Sequence, residues 1–159
     1  MLRMSKLADY AALMLATMAE RPAETYTAAG IAAETGVNLP TASKLLKMLV
    51  RAQLVASQRG SHGGYTLGRV PSAISAVDVI EAVEGPLAMT ECTLAPGLCD
   101  LEPTCQLGSQ WQSLSAAIRR ALAEITLADL IGDPIVPALS LRRRTGIPAI
   151  HMEQTHGNA

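Results

Sequence analysis

The feature that most narrows the fold is a run of helix punctuation between residues 27 and 41. Thr27 stands ahead of AAGIAAET, Gly36 follows it, and Asn38 precedes LPTASKLLKMLV, with Pro40 in the opening turn. Threonine and asparagine side chains accept hydrogen bonds from the free N–H groups of a helix's first turn. Glycine takes the left-handed conformation that stops a helix without a Cβ clash, and proline is tolerated in a first turn because its missing N–H has no partner there. The segment therefore predicts a short helix, a tight turn and a longer helix. In the longer one, Leu45, Leu46, Leu49 and Val50 recur at three- and four-residue spacing and form an apolar face. Upstream, SKLADYAALMLATMAE predicts a first helix over residues 5–20, with Ser5 as its cap, Leu7, Ala11, Met14 and Met18 along one face, and Arg21-Pro22 as its end.

Next comes LVASQRGSHGGYTLGR, in which Leu54, Val55 and Ala56 read as one strand and Tyr65, Thr66 and Leu67 as its partner, with Gly60, Gly63 and Gly64 at the tip. A hairpin directly after a helix-turn-helix is a wing. Apolar residues make up 49% of the chain, yet Phe is absent and Ala, Leu and Met dominate, which suits closely packed helices. The expected fold is mainly α with a small β wing: a winged helix-turn-helix domain followed by a long dimerisation helix.

Charge is uneven along the chain. Residues 1–70 carry eight Lys/Arg against four Asp/Glu and residues 71–130 carry two against eight, although the formal net charge is only −1. No acidic residue lies between Glu34 and Asp78, while Lys44, Lys47, Arg51, Arg59 and Arg69 all do. Charge alone fits an ordinary solvated basic face as well as a polyanion partner. Its placement decides for double-stranded DNA, because the second helix of a helix-turn-helix enters the major groove with its N-terminal residues toward the bases. Here that end carries Asn38, Leu39, Pro40, Thr41, Ser43 and Lys44, with Lys47 one turn on. Hydroxyls of Thr41 and Ser43 can bond base edges or phosphates, and Lys44 and Lys47 can contact phosphates or guanine. Arg59 can follow the backbone or enter the minor groove from the wing, and Ser61, His62 and Tyr65 complete the candidate DNA-facing set. A loop-tip histidine such as His62 is a solvated residue or a phosphate contact before it is a metal ligand.

The remainder divides by composition. SAVDVIEAVE, residues 75–84, predicts a short amphipathic helix with a Ser75/Asp78 capping box, closed by Gly85-Pro86. TECTLAPGLCDLEPTCQLG is interrupted by Pro and Gly and predicts a loop. SQWQSLSAAIRRALAEITLADLI reads as one uninterrupted helix with a stripe of Trp111, Leu114, Ile118, Leu122 and Ile125. A lone helix needs a partner, and a second copy would give the twofold symmetry that helix-turn-helix dimers use on DNA, so a homodimer is expected. The expected domains are a DNA-binding domain over 1–85, a cysteine loop over 86–108, a dimerisation helix over 109–131, and a mobile or loosely docked tail over 132–159 with a basic run at Arg142 to Arg144. No apolar run reaches the roughly 18 residues that span a bilayer. The opening MLRMSKLADY has no long apolar stretch closing on a cleavage site. A cytoplasmic protein is expected, without a membrane partner or a small-molecule substrate.

Cys92, Cys99 and Cys105 are the three cysteines. An odd cluster does not make a disulfide framework, and in a reducing compartment it binds metal or senses redox state. Soft thiolates suit iron–sulfur clusters, Zn or Cu(I), and a Pro/Gly-rich loop lets separated sulfurs converge. The Cys-x6-Cys-x5-Cys spacing lacks the tight pairs common in structural zinc sites but leaves zinc open. Three buried small apolar residues would be the plain alternative, and the neighbours Glu91, Pro103 and Gln106 argue against it.

With wing, cysteines and long helix in this order, the chain resembles the IscR/NsrR group of bacterial winged-helix regulators over residues 2 to about 131. The likeness is carried by MSKLADYAALML, LVASQRGSHGGYTLGR, AISAVDVIEAVEGP and EITLADL. The resemblance implies an iron–sulfur cluster on Cys92, Cys99 and Cys105, with 2Fe–2S favoured and 4Fe–4S open. It also implies a regulator of cluster-assembly genes, nearest in look to those of SUF-type systems, that acts as a repressor, with activation at some promoters open and with iron, oxygen, nitric oxide or cluster supply as the stimulus. IscR-like members have a histidine three residues after the third cysteine, where this chain has Gly108. NsrR-like members use an acidic residue near the start of the first helix, and Asp9 in KLADYA matches that place, reaching the other subunit's cluster in such dimers. Asp9 as a solvated carboxylate or helix-dipole partner is the equal alternative. Gln106, Glu91 and Glu102 are weaker candidates for the fourth ligand.

Three other functions stay in view. A regulator could sense through its thiols or zinc directly. A thiol redox enzyme is disfavoured, since no Cys-x2-Cys occurs and no histidine lies near the cysteines in sequence. A DNA-architectural module with idle cysteines would bind DNA without any metal group.

Overall fold

The computed structural model describes residues 4–60 and 63–132 of the chain. Helix α1 spans Lys6–Glu20, α2 Ala28–Thr35, α3 Leu39–Arg51 and α4 Ala76–Glu84. Between α3 and α4 lie the strands β1 (Val55–Gln58) and β2 (Gly64–Leu67) and a 3₁₀ turn at Pro71–Ala73. Beyond α4 come α5 (Glu91–Leu94), a second 3₁₀ turn at Glu102–Thr104, α6 (Gly108–Glu124) and α7 (Leu127–Ile131).

The punctuation read from sequence works as its chemistry requires. Ser5 Oγ accepts from Ala8 N–H at 3.2 Å, Thr27 Oγ1 from Gly30 N–H at 2.9 Å and Asn38 Oδ1 from Thr41 N–H at 3.0 Å. Gly36 sits at φ 71°, in the left-handed region, and turns the chain from α2 into α3. At α4 the box is reciprocal: Ser75 Oγ accepts from Asp78 N–H at 3.2 Å while Asp78 Oδ2 accepts from Ser75 N–H at 3.0 Å.

One core joins these elements. Met14, Leu15 and Met18 of α1, Ile31 of α2, and Leu45, Leu46 and Leu49 of α3 pack with Leu54, Val55, Ile74, Val79 and Leu127, all fully or almost fully buried. Each such side chain contributes about 1.5–3 kcal/mol of transfer free energy. The strands pair antiparallel, Val55 opposite Leu67 and Gln58 opposite Gly64. Tyr26 ties this wing to the helices: its N–H donates to Tyr65 C=O at 2.9 Å and its C=O accepts from Tyr65 N–H at 2.8 Å. The approach is so close that a Cβ on Gly64 would lie 2.6 Å from Tyr26 O, which explains the glycine. The phenol of Tyr26 is buried and donates to Thr17 C=O at 3.3 Å.

The expected single helix over 109–131 is corrected. α6 ends at Glu124, Ile125 and Thr126 are extended, and α7 starts anew. Two local causes act together. Thr126 and Asp129 form a capping box, with Thr126 Oγ1 accepting from Asp129 N–H at 3.2 Å and Asp129 Oδ2 accepting from Thr126 N–H at 2.8 Å. The Thr126 hydroxyl also donates to Asp129 Oδ2, at 2.7 Å, and that bond together with the one from Thr126 N–H holds the Asp129 carboxyl below its usual pKa. The extended pair also bonds across to the segment before α4: Ala76 N–H donates to Ile125 C=O at 2.8 Å and Leu127 N–H to Ile74 C=O at 2.7 Å. α7 thereby returns to the core, where Leu127 is fully buried, and packs on α1. The cysteine segment, expected as loop, contains α5 and the second 3₁₀ turn. The tail and its arginine run lie outside the described residues.

Candidate nucleic-acid interface and cysteine loop

α3 has two faces. Ala42, Leu45, Leu46 and Leu49 are buried, so its packing fixes which residues point away. Asn38, Pro40, Lys44 and Lys47 are exposed, and Thr41 and Ser43 are half-buried. The sequence-predicted set therefore shares the N-terminal half of one helix surface, with the exposed Leu39 beside it. Asn38 spends its carbonyl oxygen on the cap, which leaves its amide N–H groups for an outside acceptor.

Arg59 is exposed at the end of β1, beside Ser57 and Gln58, which are exposed too and were not singled out from sequence. Tyr65 is half-buried in β2 against the core, with its backbone committed to Tyr26. Ser61 and His62 lie outside the described residues. Among the described residues, Lys44, Lys47, Arg51 and Arg59 have no acidic group within ion-pair distance, so no ion pair neutralises these four cations. Arg69 behaves differently. Its guanidinium donates to Ala73 C=O at 3.2 Å and lies 3.6 Å from Asp78 Oδ2, so it braces the entry to α4. Its place in the acidic-free interval gave no warning of this.

The cysteine loop is built otherwise. Cys92 sits on α5 and is half-buried, Cys99 is half-buried, and Cys105 is exposed; all three are free thiols. Among the described residues, no three His, Cys, Asp or Glu side chains are gathered as a metal-holding group. The donor chemistry nevertheless fits a thiolate-bound metal group, since three free sulfurs stand on one short segment. Asp9 is exposed in the first turn of α1 and is not gathered with the cysteines. Glu91 and Glu102 are exposed or half-exposed; Glu102 accepts from Gly97 N–H at 2.7 Å and thus folds the loop upon itself. Gln106 is exposed.

α6 rests on α4 and α5. Its apolar stripe is divided: Ile118, Leu122 and Ile125 are half-buried and line a groove with Val79 and Ile80, whereas Trp111 and Leu114 remain 37% and 42% exposed. Sequence reading assigned the whole stripe to a second copy, and part of it belongs to this chain's own α4. Reading by periodicity also passes over Ser115 and Glu81, polar residues of the amphipathic helices α6 and α4. Glu81 takes a bidentate pair of bonds from Arg119, Nε to Oε1 and Nη2 to Oε2, both at 3.0 Å. Those bonds hold its carboxyl below the usual pKa.

A family model described as "Rrf2: Iron-dependent Transcriptional regulator" matches residues 4–133. An HTH-type transcriptional regulator of Mycobacterium tuberculosis is 36% identical over 135 residues, 82% of each chain. The HTH-type transcriptional regulator IscR of Vibrio parahaemolyticus is 35% identical over 123 residues, 77% of this chain and 73% of that one. Among solved structures, CymR, the global cysteine regulator of B. subtilis, aligns with a TM-score of 0.63 at 28% identity, covering 82% of this chain and 97% of its own. IscR of T. potens aligns at 0.59 and 28%, covering 82% and 86%.

Proposed function

Because this chain belongs to the Rrf2 family of winged-helix transcriptional regulators, not enzymes, we propose that it represses cluster-assembly genes and senses iron–sulfur status through Cys92, Cys99 and Cys105. The observation that supports this is the placement of three free cysteines on one short segment of chain that leads straight into α6. A bound 2Fe–2S cluster would supply a crosslink sensitive to oxygen and iron supply. The chain's own residues do the rest. Cys92, Cys99 and Cys105 hold the group as thiolates, and Asp9 of a second copy is the candidate fourth ligand. Trp111 and Leu114 offer an exposed apolar strip for that second copy, and a dimer sets the separation of the two α3 helices on a twofold operator. Asn38, Pro40, Thr41, Ser43, Lys44 and Lys47 would face the major groove, with Arg59 and Tyr65 on the wing side, and Ser61 and His62 are further DNA contacts proposed from sequence.

The experiment is purification without oxygen. A brown protein with iron and sulfide is expected, and Cys92→Ala, Cys99→Ala and Cys105→Ala should each be nearly colourless yet folded. A colourless parent that binds its operator would remove the cluster from the site. A second reading, direct thiol sensing, is favoured by two observations: the thiols stand apart, and the cysteine regulator CymR shares the fold. An operator affinity that changes on thiol oxidation in metal-free protein would support it.

A further inference from the structure

The segment that enters the cysteine loop is fastened by backbone N–H groups to two helices outside it. Leu87 N–H donates to Glu81 Oε1 of α4 at 3.2 Å. Met89 N–H donates to Ser115 Oγ of α6 at 3.3 Å and to Thr93 Oγ1 at 3.1 Å. Thr90 N–H also reaches Thr93 Oγ1, at 3.0 Å, and the Thr90 hydroxyl lies 3.2 Å from Cys92 Sγ. A short polar chain thus runs from α6 to the first cysteine.

Glu81 is shared between partners. The oxygen that accepts from Leu87 also accepts from Arg119 Nε, so α4, the root of the loop and α6 meet at one carboxylate. Ser115 stands one helical turn before Arg119 and is, among the described residues, the one buried polar residue, at 8% exposure. A buried hydroxyl is costly unless it is hydrogen-bonded, and Ser115 meets that requirement with the loop's own backbone. Further along the loop the backbone bonds turn inward: Gly97 N–H to Glu102 Oε2 at 2.7 Å, and Glu102 N–H to Cys99 C=O at 3.0 Å. Any movement of the thiols therefore meets a fixed point at residues 87–90.

We propose that Ser115 and Glu81 are positioning residues that root the cysteine loop on α6 and pass a rearrangement of Cys92, Cys99 and Cys105 to that helix. The proposal rests on the reading of the cysteines as a thiolate site. Drawing three separated sulfurs around one metal group must move the loop, and a rooted loop transmits that movement where an unrooted one absorbs it.

Cadmium(II), added to the reduced, metal-free full-length protein, is the probe. Thiolate-to-cadmium absorption reports ligation, and amide hydrogen exchange over residues 112–124 reports α6. In the parent, loading should give the absorption band and slow α6 exchange about fivefold or more, the low end of ordinary coupling between sites. In Ser115→Ala combined with Glu81→Gln, the band should keep its amplitude while the slowing of α6 disappears. Ser115→Thr, which keeps the hydroxyl, should retain it. Exchange in α1 to α3 monitors folding, and Ser115→Ala alone serves if the double variant is unfolded. Undiminished slowing in the variants, or full loading of the parent with no change in α6, overturns the proposal. No band in the parent overturns the thiolate reading and the proposal together, and that missing band distinguishes this failure from loss of transmission alone.

Discussion

The two ends of this regulator are held together by different means. In the reading head, α1 to α3, each helix start is closed by a side-chain cap, and Leu45, Leu46 and Leu49 are 0% exposed. In the cysteine segment, Leu94, Leu98, Leu101 and Leu107 are 48 to 69% exposed, and the 3₁₀ turn at Glu102–Thr104 lacks a side-chain cap. The head takes its shape from the shared buried core, to which α1 to α3 contribute most of the large side chains. The loop buries none of these four leucines, so its own packing does less to fix its shape, as the proposed sensing role would require.

The largest expected effect tests that contrast directly. Leu46→Ala should cost about 2–5 kcal/mol of unfolding free energy, by lost burial and the cavity left behind. Leu101→Ala, at a site 69% exposed, should change it by less than about 0.5 kcal/mol. Denaturant titration of both variants measures the gap, and equal losses would abolish the distinction.

Smaller effects belong to the exposed face of the head. Lys44→Ala and Arg59→Ala should weaken duplex binding without altering the fold. Each lost phosphate contact should make the log–log salt slope shallower by about one, while loss of a bidentate guanine contact should cost about 1–3 kcal/mol at one operator position. Binding titrations at several salt concentrations separate the two, and unchanged affinity in both variants would remove α3 and the wing from the interface.

Under the proposed function, Asp9 would bridge the two regions. As a ligand to the partner's metal group, its replacement by Ala should leave a cluster that forms but is lost faster to chelator, and Asp9→Cys should slow that loss. As a helix-face carboxylate, both variants should lose cluster at the parental rate and change stability by a few tenths of a kcal/mol. The rate of colour loss without oxygen decides.

The smallest effect is a pH dependence at the root of the loop. Arg119 and Leu87 hold the Glu81 carboxyl below its usual 4.5, so its contribution to stability is complete above about pH 4.5 and is lost as pH falls through the lowered value. The stability difference between the parent and Glu81→Gln should therefore be constant near neutrality and shrink in acid. A difference that widens in acid would contradict the assignment.

Where a boundary is written in one residue's chemistry, it was legible. Ser5, Thr27, Gly36 and Asn38 mark the head and the Ser75/Asp78 box marks the start of α4 in the sequence itself, and the apolar spacing of α3 shows which residues face away from the core. The break at Thr126 carried the same kind of mark, Thr followed three residues later by Asp. It was overridden by an apolar period running through Ile125, because the pairing with Ile74 and Ala76 that makes the break worthwhile is a tertiary contact. The loop was harder for another reason. Its cysteines have no period, and the bonds of its root, from Met89 to Ser115 and from Leu87 to Glu81, join positions whose sequence neighbours give no hint of the partner.

Operator affinity, measured without oxygen before and after removal of the metal group from the same preparation, bears on the whole scheme at once. Coupling of one to three kcal/mol would separate the two affinities about 5- to 150-fold, with the Cys92/Cys99/Cys105→Ala triple variant fixed at the metal-free value. Identical affinities in all three samples would contradict it, and would leave a winged-helix regulator whose cysteine loop does not govern its DNA.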